Sequence, residues 1–353
     1  MKIKTTVSAL CLAVAAVTFA GTACAAKIGV SMPTQSLQRW NQDGSNMKAM
    51  LEQSGHTVDL QYAGDNDIPT QVNQIENMIA SDVDVLVVAS IDGSALTEVL
   101  KGAKDKSIPV IAYDRLIMNS DAVSYYATFD NTKVGRLQGQ YIADALDLAN
   151  QKGPFNVELF TGPTDDNNVN FFWGGAMEVL KPYIDNGTLV VKSGQTEKEQ
   201  CATLNWNLEE AQKRMENLIS SVAYGPEDTP LVAVLCQNDA LACGVANALL
   251  ATGYDASNMP VITGQDCDKP AVKNIVRGYQ SMSVFKDTRT LAAQVVKMVN
   301  SITKGETVEV NDTTTYNNGT GVIPSFLCEP VACTKDNYKE LLIESGYYSE
   351  DDL

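Results

Sequence analysis

The sequence has 353 residues, with 43 acidic and 26 basic side chains and a formal net charge of −17. A chain this acidic is repelled by nucleic acids and anionic lipids, so we expect neither as a partner. The hydrophobic fraction of 44% excludes a disordered chain. Because the length exceeds what one hydrophobic core usually fills, we expect two domains.

The first 25 residues have the pattern of a secretory signal peptide. A start with two lysines is followed by the uncharged apolar stretch 7–20, and small residues at 23–25 suit cleavage. We therefore expect residues 1–25 to be removed and the mature protein to be periplasmic or extracellular. Lipid attachment at Cys24 ranks second to simple cleavage. The reason is that Gly21 stands where a lipid-attachment site usually has a large aliphatic residue.

Strand and helix patterns alternate through the first half of the mature chain. Strands are predicted at 27–32, 57–62, 83–89 and 110–113, with helices near 39–53 and 94–104 and a further helix that opens at 65–69 and continues through 79. The apolar run Val110-Ile111-Ala112 lacks polar alternation, which is typical of a strand covered on both faces. This order with short loops predicts a parallel, doubly wound sheet.

The same pattern begins again after Asn131. Helices are predicted at 133–149, 174–186, 209–221 and 240–251, and strands at 155–160, 188–192, 231–236 and 260–263. Two half-size copies of one plan predict an α/β protein with two doubly wound lobes. The tail from about residue 311 is predicted to return irregularly and to end in a helix.

Six cysteines follow the predicted cleavage site. An even number in an exported protein permits disulfides, but the sequence does not choose among the pairings. Cys328 and Cys333 are the best local candidates for a short bridge, while Cys236 or Cys243 suits a free buried thiol. The chain has no CxxC pair and a single histidine, so we expect no metal site.

Polar clusters follow most of the predicted strands. They are Arg39-Trp40, Ile91-Asp92, Asp114-Arg115, Asp130-Asn131, 165–168, Asn238-Asp239, Gln265-Asp266 and Lys286-Asp287. One such cluster is more often a surface ion pair than a site. In open parallel sheets, however, ligands bind beyond the carboxyl ends of the strands. Clusters on two lobes therefore predict a cleft for a polar ligand.

The side chains of these clusters suit a sugar. Hydroxyl groups both donate and accept, so carboxylates, amides and guanidinium groups can hold them. The C–H face of a pyranose packs flat on an aromatic ring, and tryptophan offers the largest ring. We expect Trp40 to contact the ligand in this way, whereas Trp173 suits core packing equally well.

A catalytic role is not favoured. Paired carboxylates such as Asp114 and Asp266 can act on a glycosidic bond, but neighbouring cations keep carboxylates ionised and unable to donate a proton. His56 follows Gly55 in a turn, and we expect it to be exposed. No phosphate-binding glycine motif is present. We therefore expect neither a catalytic residue nor a cofactor.

Taken together, these motifs resemble the periplasmic sugar-binding proteins of ABC transporters, particularly the receptors for multiple sugars and for xylose. The resemblance covers essentially residues 27–353. It rests on QRW at 38–40, QIENMI at 74–79, VIAYDRLI at 110–117, FDN at 129–131, DDNN at 165–168, ND at 238–239, GQD at 264–266 and VFKDTR at 284–289. It implies the type I periplasmic-binding-protein fold, in which two doubly wound parallel-sheet lobes are joined by a hinge of three crossings.

Residues at the matching positions are implied to bind the sugar from both lobes. The implied ligand-binding residues are Arg39, Trp40, Asp114 and Arg115 from the N-terminal lobe, Asn168, Asn238, Asp266 and Lys286 from the C-terminal lobe, and additionally Asn131 and Trp206. Trp173 stands where the xylose-binding members carry an arginine, so the resemblance does not decide between a pentose and an aldohexose.

The resemblance also implies how the chain is divided. We expect crossings near 126–131, 282–286 and 321–325. We assign residues 26–131 with about 286–322 to the N-terminal lobe, and residues 132–285 with about 323–353 to the C-terminal lobe.

The resulting prediction is an exported, monomeric receptor that closes on a monosaccharide and delivers it to an ABC permease. A chemoreceptor or a sensor kinase is a further partner that the family allows. A secreted sugar-acting enzyme and a receptor for a non-sugar ligand, such as an autoinducer, are the alternatives. A repressor of the same fold is disfavoured, because no helix-turn-helix precedes the first strand.

Overall fold

A computed structural model describes residues 25–353 of the chain. Residues 1–24, which include most of the predicted signal peptide and Cys24, lie outside the described part. The strands are β1 Lys27–Met32, β2 Thr57–Tyr62, β3 Val85–Val88, β4 Val110–Tyr113, β5 Val123–Phe129, β6 Phe155–Phe160, β7 Leu189–Val191, β8 Ala233–Cys236, β9 Val261–Ile262, β10 Met282–Phe285, β11 Ser325–Cys328 and β12 Val331–Thr334. The helices are α1 Gln38–Gln53, α2 Ile68–Ala80, α3 Thr97–Asp105, α4 Asn131–Ala145, α5 Asn168–Asp185, α6 Leu208–Val222, α7 Asp239–Leu250, α8 Lys269–Arg277 and α9 Thr288–Lys304.

Six strands form a parallel sheet in the order β11-β5-β4-β3-β1-β2. β3 and β4 are buried along their whole length, as expected for strands without polar alternation. Helices α1 and α9 cover one face through Met47 and Leu291, and α2 and α3 cover the other through Ile75 and Leu100. We call this unit the N-terminal lobe. The strand order reverses between β1 and β3, which places a ligand-binding crevice at the carboxyl ends of these strands.

A second parallel sheet has the order β7-β6-β8-β9. Helices α4 and α5 pack on one face through Ile142 and Leu180, and α6 and α7 pack on the other through Met215 and Leu249. Strand β10 continues this sheet through a bridge between Gln265 and Val284, and pairs in antiparallel fashion with β12. We call this unit the C-terminal lobe. The α/β class with two doubly wound parallel sheets is therefore as predicted.

The chain passes between the two lobes at three places. The passages lie between β5 and α4, between β10 and α9, and between β11 and β12. The third differs from the expected crossing near 321–325. Residues 325–328, which we had placed in the C-terminal lobe, pair with β5 in register from Ser325 opposite Tyr126. A four-residue edge strand carries too little pattern to show which sheet it joins.

One prediction about a single residue is wrong, and one candidate disulfide is not formed. His56 is only 6% exposed, because the ring lies against α9 with Nε2 2.9 Å from Oδ1 of Asn300. Its Nδ1 accepts from the backbone N–H of Ala26 at 3.3 Å. The local bridge between Cys328 and Cys333 does not form, because each thiol belongs to the core of a different lobe.

Each of the six cysteines in residues 25–353 is buried and unbridged. Burial raises the pKa of Cys236 well above its ordinary value and that of Cys243 to about 12. Both therefore stay as neutral thiols that pack like small apolar side chains. Within the same described range, no helix combines the length and the apolar character needed to cross a membrane.

Candidate functional site

A narrow cavity of about 30 Å³ lies where the carboxyl ends of the two sheets face each other. This volume is below the range for small-molecule sites, so a ligand of that size fits only when the lobes or the side chains of the wall move apart. Both lobes contribute to its wall. The lining residues are Leu37, Arg39, Trp40, Asp114, Arg115, Asp166, Asn168, Phe172, Trp206, Asn238, Gln265, Asp266 and Lys286.

The structure brings nine of the ten predicted ligand-binding residues together at this cavity. The tenth, Asn131, lies one layer behind the wall, where its Nδ2 donates to Oδ1 of Asn168 at 3.1 Å. Asn131 therefore orients a lining residue from the start of α4. Trp173 is not among the lining residues; it is half-buried and packs against the core cluster to which α4 and α5 contribute, so it is a packing residue.

Four lining residues were not predicted. Asp166 and Gln265 belong to polar clusters that follow predicted strands, Phe172 lies near the start of α5, and Leu37 precedes α1. Their positions depend on which way each turn or helix faces. The strand-end pattern indicates a cluster, and it does not indicate which member of the cluster lines the cavity.

Arg39 lies at the centre of the charged groups of the site. It occupies the first turn of α1, directly after the loop that follows β1, and is 5% exposed. Its Nη2 is 2.9 Å from Oδ1 of Asp114, and its Nη1 is 3.2 Å from Oδ1 of Asp266 in the other lobe. One turn later on α1, Asp43 accepts from Nε and Nη2 of Arg39 at 3.0 and 2.9 Å. The hydroxyl group of Tyr113 donates to the second oxygen of Asp43.

The pKa values of these groups follow from burial and from their neighbours. Burial alone lowers the pKa of Arg39, but Asp114, Asp43 and Asp266 raise that pKa well above its ordinary value. Burial would raise the pKa of Asp114, and the opposing charges of Arg39, Lys286 and Arg115 lower it instead. The Asp114 carboxylate is therefore ionised and acts as a hydrogen-bond acceptor.

Asp114 and Asp266 share an unusual backbone conformation. Their φ angles are 58° and 94°, in the left-handed region that non-glycine residues rarely adopt. Such strain persists only where the surrounding structure enforces it, and it is concentrated at functional sites. Each turn directs a carboxylate into the cavity from the end of a parallel sheet, one from each lobe.

The C-terminal lobe contributes a second cation. Lys286 follows β10, is almost completely buried, and places its Nζ 2.8 Å from Oδ1 of Asp266. The same Nζ lies 5.8 Å from the ring centre of Phe172. Lys286 and Arg39 therefore both contact Oδ1 of Asp266, one from each lobe.

A second pair of charges joins the lobes on another wall of the cavity. Nε of Arg115 is 2.9 Å from Oδ2 of Asp166, which also accepts from Nε1 of Trp206 at 3.2 Å. Arg115 is fixed in turn because its Nη1 donates to the carbonyl oxygens of Ser90 and Ile91 at 3.1 and 3.2 Å. Together these contacts hold Trp206 at the edge of the cavity.

Direct contacts across the cavity show that the two lobes are closed around it. Nδ2 of Asn168 donates to the backbone carbonyl of Asp114 at 2.9 Å, and Arg39 reaches Asp266 as described. Farther out, Nε2 of Gln38 donates to the hydroxyl oxygen of Tyr348 at 2.6 Å. Some of the contacts that position the side chains of the site therefore join the two lobes.

The ring of Trp40 is in contact with two guanidinium groups. The central carbons of Arg39 and Arg115 lie 4.6 and 5.2 Å from its ring centre, so cations stack where the sequence predicted a sugar. The indole Nε1 has no hydrogen-bond partner, and neither has Oε1 of Gln265. Both residues line the cavity.

Charges of the two signs balance at the cavity. Its wall carries three cations, Arg39, Arg115 and Lys286, and three carboxylates, Asp114, Asp166 and Asp266. Each carboxylate is paired with a cation, so the site offers a neutral surface dense in donors and acceptors. In residues 25–353, no three metal-ligating side chains are placed to hold a metal ion. The arrangement suits an uncharged ligand with many hydroxyl groups.

The sequence matches a known family over most of its length. Residues 28–307 match the family described as "Periplasmic binding protein domain". The chain is 52% identical over 328 residues to the multiple sugar-binding periplasmic receptor ChvE of Rhizobium radiobacter, covering 92% of each protein. It is 36% identical over 353 residues to the D-xylose-binding periplasmic protein of Escherichia coli K12, covering 100% of each.

A solved structure is similar to most of the chain. It is an ABC transporter solute-binding protein from Clostridium phytofermentans, crystallised with bound β-D-glucose. The two chains are 60% identical and superimpose with a TM-score of 0.90, covering 93% of this chain and 99% of the other. The matched part of the chain includes both lobes.

Proposed function

The chain belongs to the periplasmic binding protein family, and we propose that it is an exported receptor that binds a monosaccharide and delivers it to an ABC transporter. One observation carries the proposal. The cavity between the lobes is lined by paired cations and carboxylates from both lobes, together with three large aromatic side chains. Such a wall binds a neutral polyhydroxylated ligand through charge-assisted hydrogen bonds and ring contacts.

The mechanism that we propose is closure around the sugar. In an open form, Arg39 and Asp114 stay with the N-terminal lobe, while Asp266 and Lys286 stay with the C-terminal lobe. A sugar bound to one lobe then adds contacts to the other, and it stabilises the closed form by its higher affinity for that form. Closure also forms the contact of Arg39 with Asp266. The closed shape is what a membrane permease would recognise.

Two lines of similarity support an aldohexose as the ligand. The similar solute-binding protein from Clostridium phytofermentans was crystallised with β-D-glucose, and the relative from Rhizobium radiobacter is named a multiple sugar-binding receptor. The more distant relative from Escherichia coli is named for D-xylose, so a pentose is the second candidate. We propose the periplasm or the cell exterior as the location, a monomer as the working form, and a chemoreceptor or sensor kinase as a further partner.

The test is thermal unfolding of the mature protein, residues 26–353, with a panel of D-glucose, D-galactose, D-xylose and L-arabinose. A ligand at a thousandfold excess over Kd stabilises the folded state by about 4 kcal/mol, which is easily measured. We expect stabilisation by one or a few aldoses. The effect should disappear in Asp266→Asn and persist in Asp185→Asn, whose side chain is exposed on α5.

Two results would contradict the proposal. If no sugar of the panel changes the unfolding temperature, the ligand is of another class, and non-sugar compounds become the candidates. If the wild-type protein releases product from aryl glycosides and Asp266→Asn does not, the protein is an enzyme. A binding protein leaves every glycoside intact.

A further inference from the structure

Two polar atoms at the cavity lack partners although their residues are more than nine-tenths buried. Trp40 and Gln265 are each 2% exposed, and Nε1 of the first and Oε1 of the second make no hydrogen bond within the described residues. Native proteins rarely leave buried polar groups unpaired, and an exception calls for a specific explanation. Both residues line the same cavity.

The main chain at Gln265 is held by backbone hydrogen bonds. Its backbone carbonyl accepts from the N–H of Asp239 at 3.1 Å, and the residue forms a bridge with Val284. The next backbone N–H, of Asp266, donates to the carbonyl of Val284 at 2.9 Å. The main chain thus positions Gln265 without help from its amide group.

Each of the other polar side chains of the wall has at least one partner. The cavity carboxylates are held by cations, and Oδ1 of Asn238 accepts from the backbone N–H of Leu241 at 3.0 Å, as the cap of α7. Oε1 of Gln265 is therefore the uncharged acceptor that is free to receive a hydrogen bond. On the opposite lobe, Nε1 of Trp40 is a free donor.

We propose that Gln265 contacts the ligand directly and accepts a hydrogen bond from one sugar hydroxyl, while the indole N–H of Trp40 donates to another oxygen of the ligand. The inference rests on the proposed function and adds to it a rule of specificity. A sugar that lacks the hydroxyl facing Gln265 is rejected, because the buried amide oxygen would then stay unpaired. Gln265 and Trp40 would therefore distinguish sugars by the positions of their hydroxyl groups and not by charge.

The experiment combines a substitution with a series of ligands. Affinities for D-glucose and its 2-, 3-, 4- and 6-deoxy analogues are measured by titration calorimetry for the wild type and for Gln265→Met, which keeps the length of the side chain. The matched control is Gln280→Met. Gln280 is also 2% exposed and also has an unpartnered Oε1, but it lies away from the cavity.

The inference predicts a specific pattern. Gln265→Met should bind glucose about 5- to 100-fold more weakly than the wild type. The wild type should lose a similar factor for one deoxy analogue, and for that analogue the substitution should cause no further loss. Gln280→Met should lower the unfolding temperature without changing the order of affinities. If Gln265→Met does not fold, Gln265→Asn is measured in its place. It withdraws the amide by one methylene group and should give the same pattern.

Other patterns would overturn the inference. If Gln265→Met binds glucose as the wild type does, the amide does not contact the sugar. If the loss is the same for glucose and all analogues, Gln265 has a structural role, such as holding a fixed water molecule. If the wild-type protein binds none of these sugars or those of the thermal panel, the proposed function fails first, and the inference fails with it.

Discussion

Arg39 and Asp266 belong to different lobes and are 227 positions apart in the chain, yet Nη1 of the first lies 3.2 Å from Oδ1 of the second. The same guanidinium group also holds Asp43 and Asp114. A single side chain thus neutralises carboxylates within one lobe and spans the cavity to the other. The stability of the N-terminal lobe and the closure of the cleft depend on the same group.

Replacing Arg39 by methionine should weaken folding and sugar binding together. The substitution leaves buried carboxylates, including Asp43, without their cation, and breaking a buried pair in this way costs about 3–5 kcal/mol. Urea unfolding and calorimetry with the sugar found in the thermal screen check both effects. Arg136→Met is the control, because its pair with Glu178 is exposed and contributes about 0–1 kcal/mol. Equal stability of the two variants would contradict the central role of Arg39.

Trp40→Phe should show whether the polar edge of this ring is used. Phenylalanine keeps an aromatic ring near the guanidinium groups and removes the unpartnered Nε1. We expect affinity for the sugar to fall about 5- to 100-fold, as for other lost hydrogen bonds to buried groups. In Trp173→Phe, where the ring packs in the core, affinity should be unchanged while stability falls. Unchanged affinity in Trp40→Phe would mean that only the ring matters.

Gly162→Ala should displace Trp206 from the edge of the cavity. A β-carbon at Gly162 would lie 2.2 Å from the Trp206 ring, so the ring has to move and its hydrogen bond to Asp166 is lost. We expect at least tenfold weaker sugar binding and a change in tryptophan fluorescence. Gly174→Ala, with open space around its β-carbon in α5, should instead stabilise the protein by about 0.5–1 kcal/mol. Wild-type binding by Gly162→Ala would show that Trp206 is dispensable.

Asp43 should give the protein a characteristic dependence of stability on pH. Burial raises the pKa of Asp43 to about 6, against the opposing charge of Arg39. In the unfolded chain this carboxyl group ionises near pH 4, about its ordinary value. Folding therefore takes up a proton between these values, and the stability that Asp43 contributes is present below about pH 4 and is lost as pH rises through about 6.

The measurement is the difference in unfolding free energy between the wild type and Asp43→Asn in urea at several pH values from 4 to 7. Relative to the variant, the wild type should lose on the order of 1–3 kcal/mol over this range. Asp185→Asn on the exposed surface should show no such trend. A difference between wild type and Asp43→Asn that does not change with pH would mean that Asp43 ionises normally in the folded protein.

The sequence predicted features that depend on local pattern. The apolar run of β4 and the Asp114-Arg115 pair after it indicated both the buried strand and its position at the cavity. The sequence could not show which of two neighbouring helix residues faces the cavity. It therefore did not distinguish Phe172, which lines the cavity, from Trp173, which packs against the core. Successive helix positions differ by about 100°, and both residues are aromatic.

The sequence alone could not predict features that depend on contacts between distant segments. His56 is buried because Asn300, far along the chain, lies against it, and nothing near Gly55 indicates this. The sheet that Ser325 and its neighbours join is decided by pairing with β5. The direction in which Gln265 points follows from the turn that it shares with Asp266 and from the strand beside it. These outcomes are set by packing between segments rather than by any one segment.

The left-handed backbone at Asp114 and Asp266 has a consequence for engineering the receptor. Beside glycine, aspartate and asparagine are the residues that tolerate this conformation best, so most other substitutions at these two positions would add backbone strain of about 1–2 kcal/mol. Asparagine would keep the turn but leave a neighbouring cation uncompensated. A biosensor for a new sugar is therefore better sought by randomising Leu37, Phe172 and Gln265, which line the cavity with ordinary backbone angles and carry no charge.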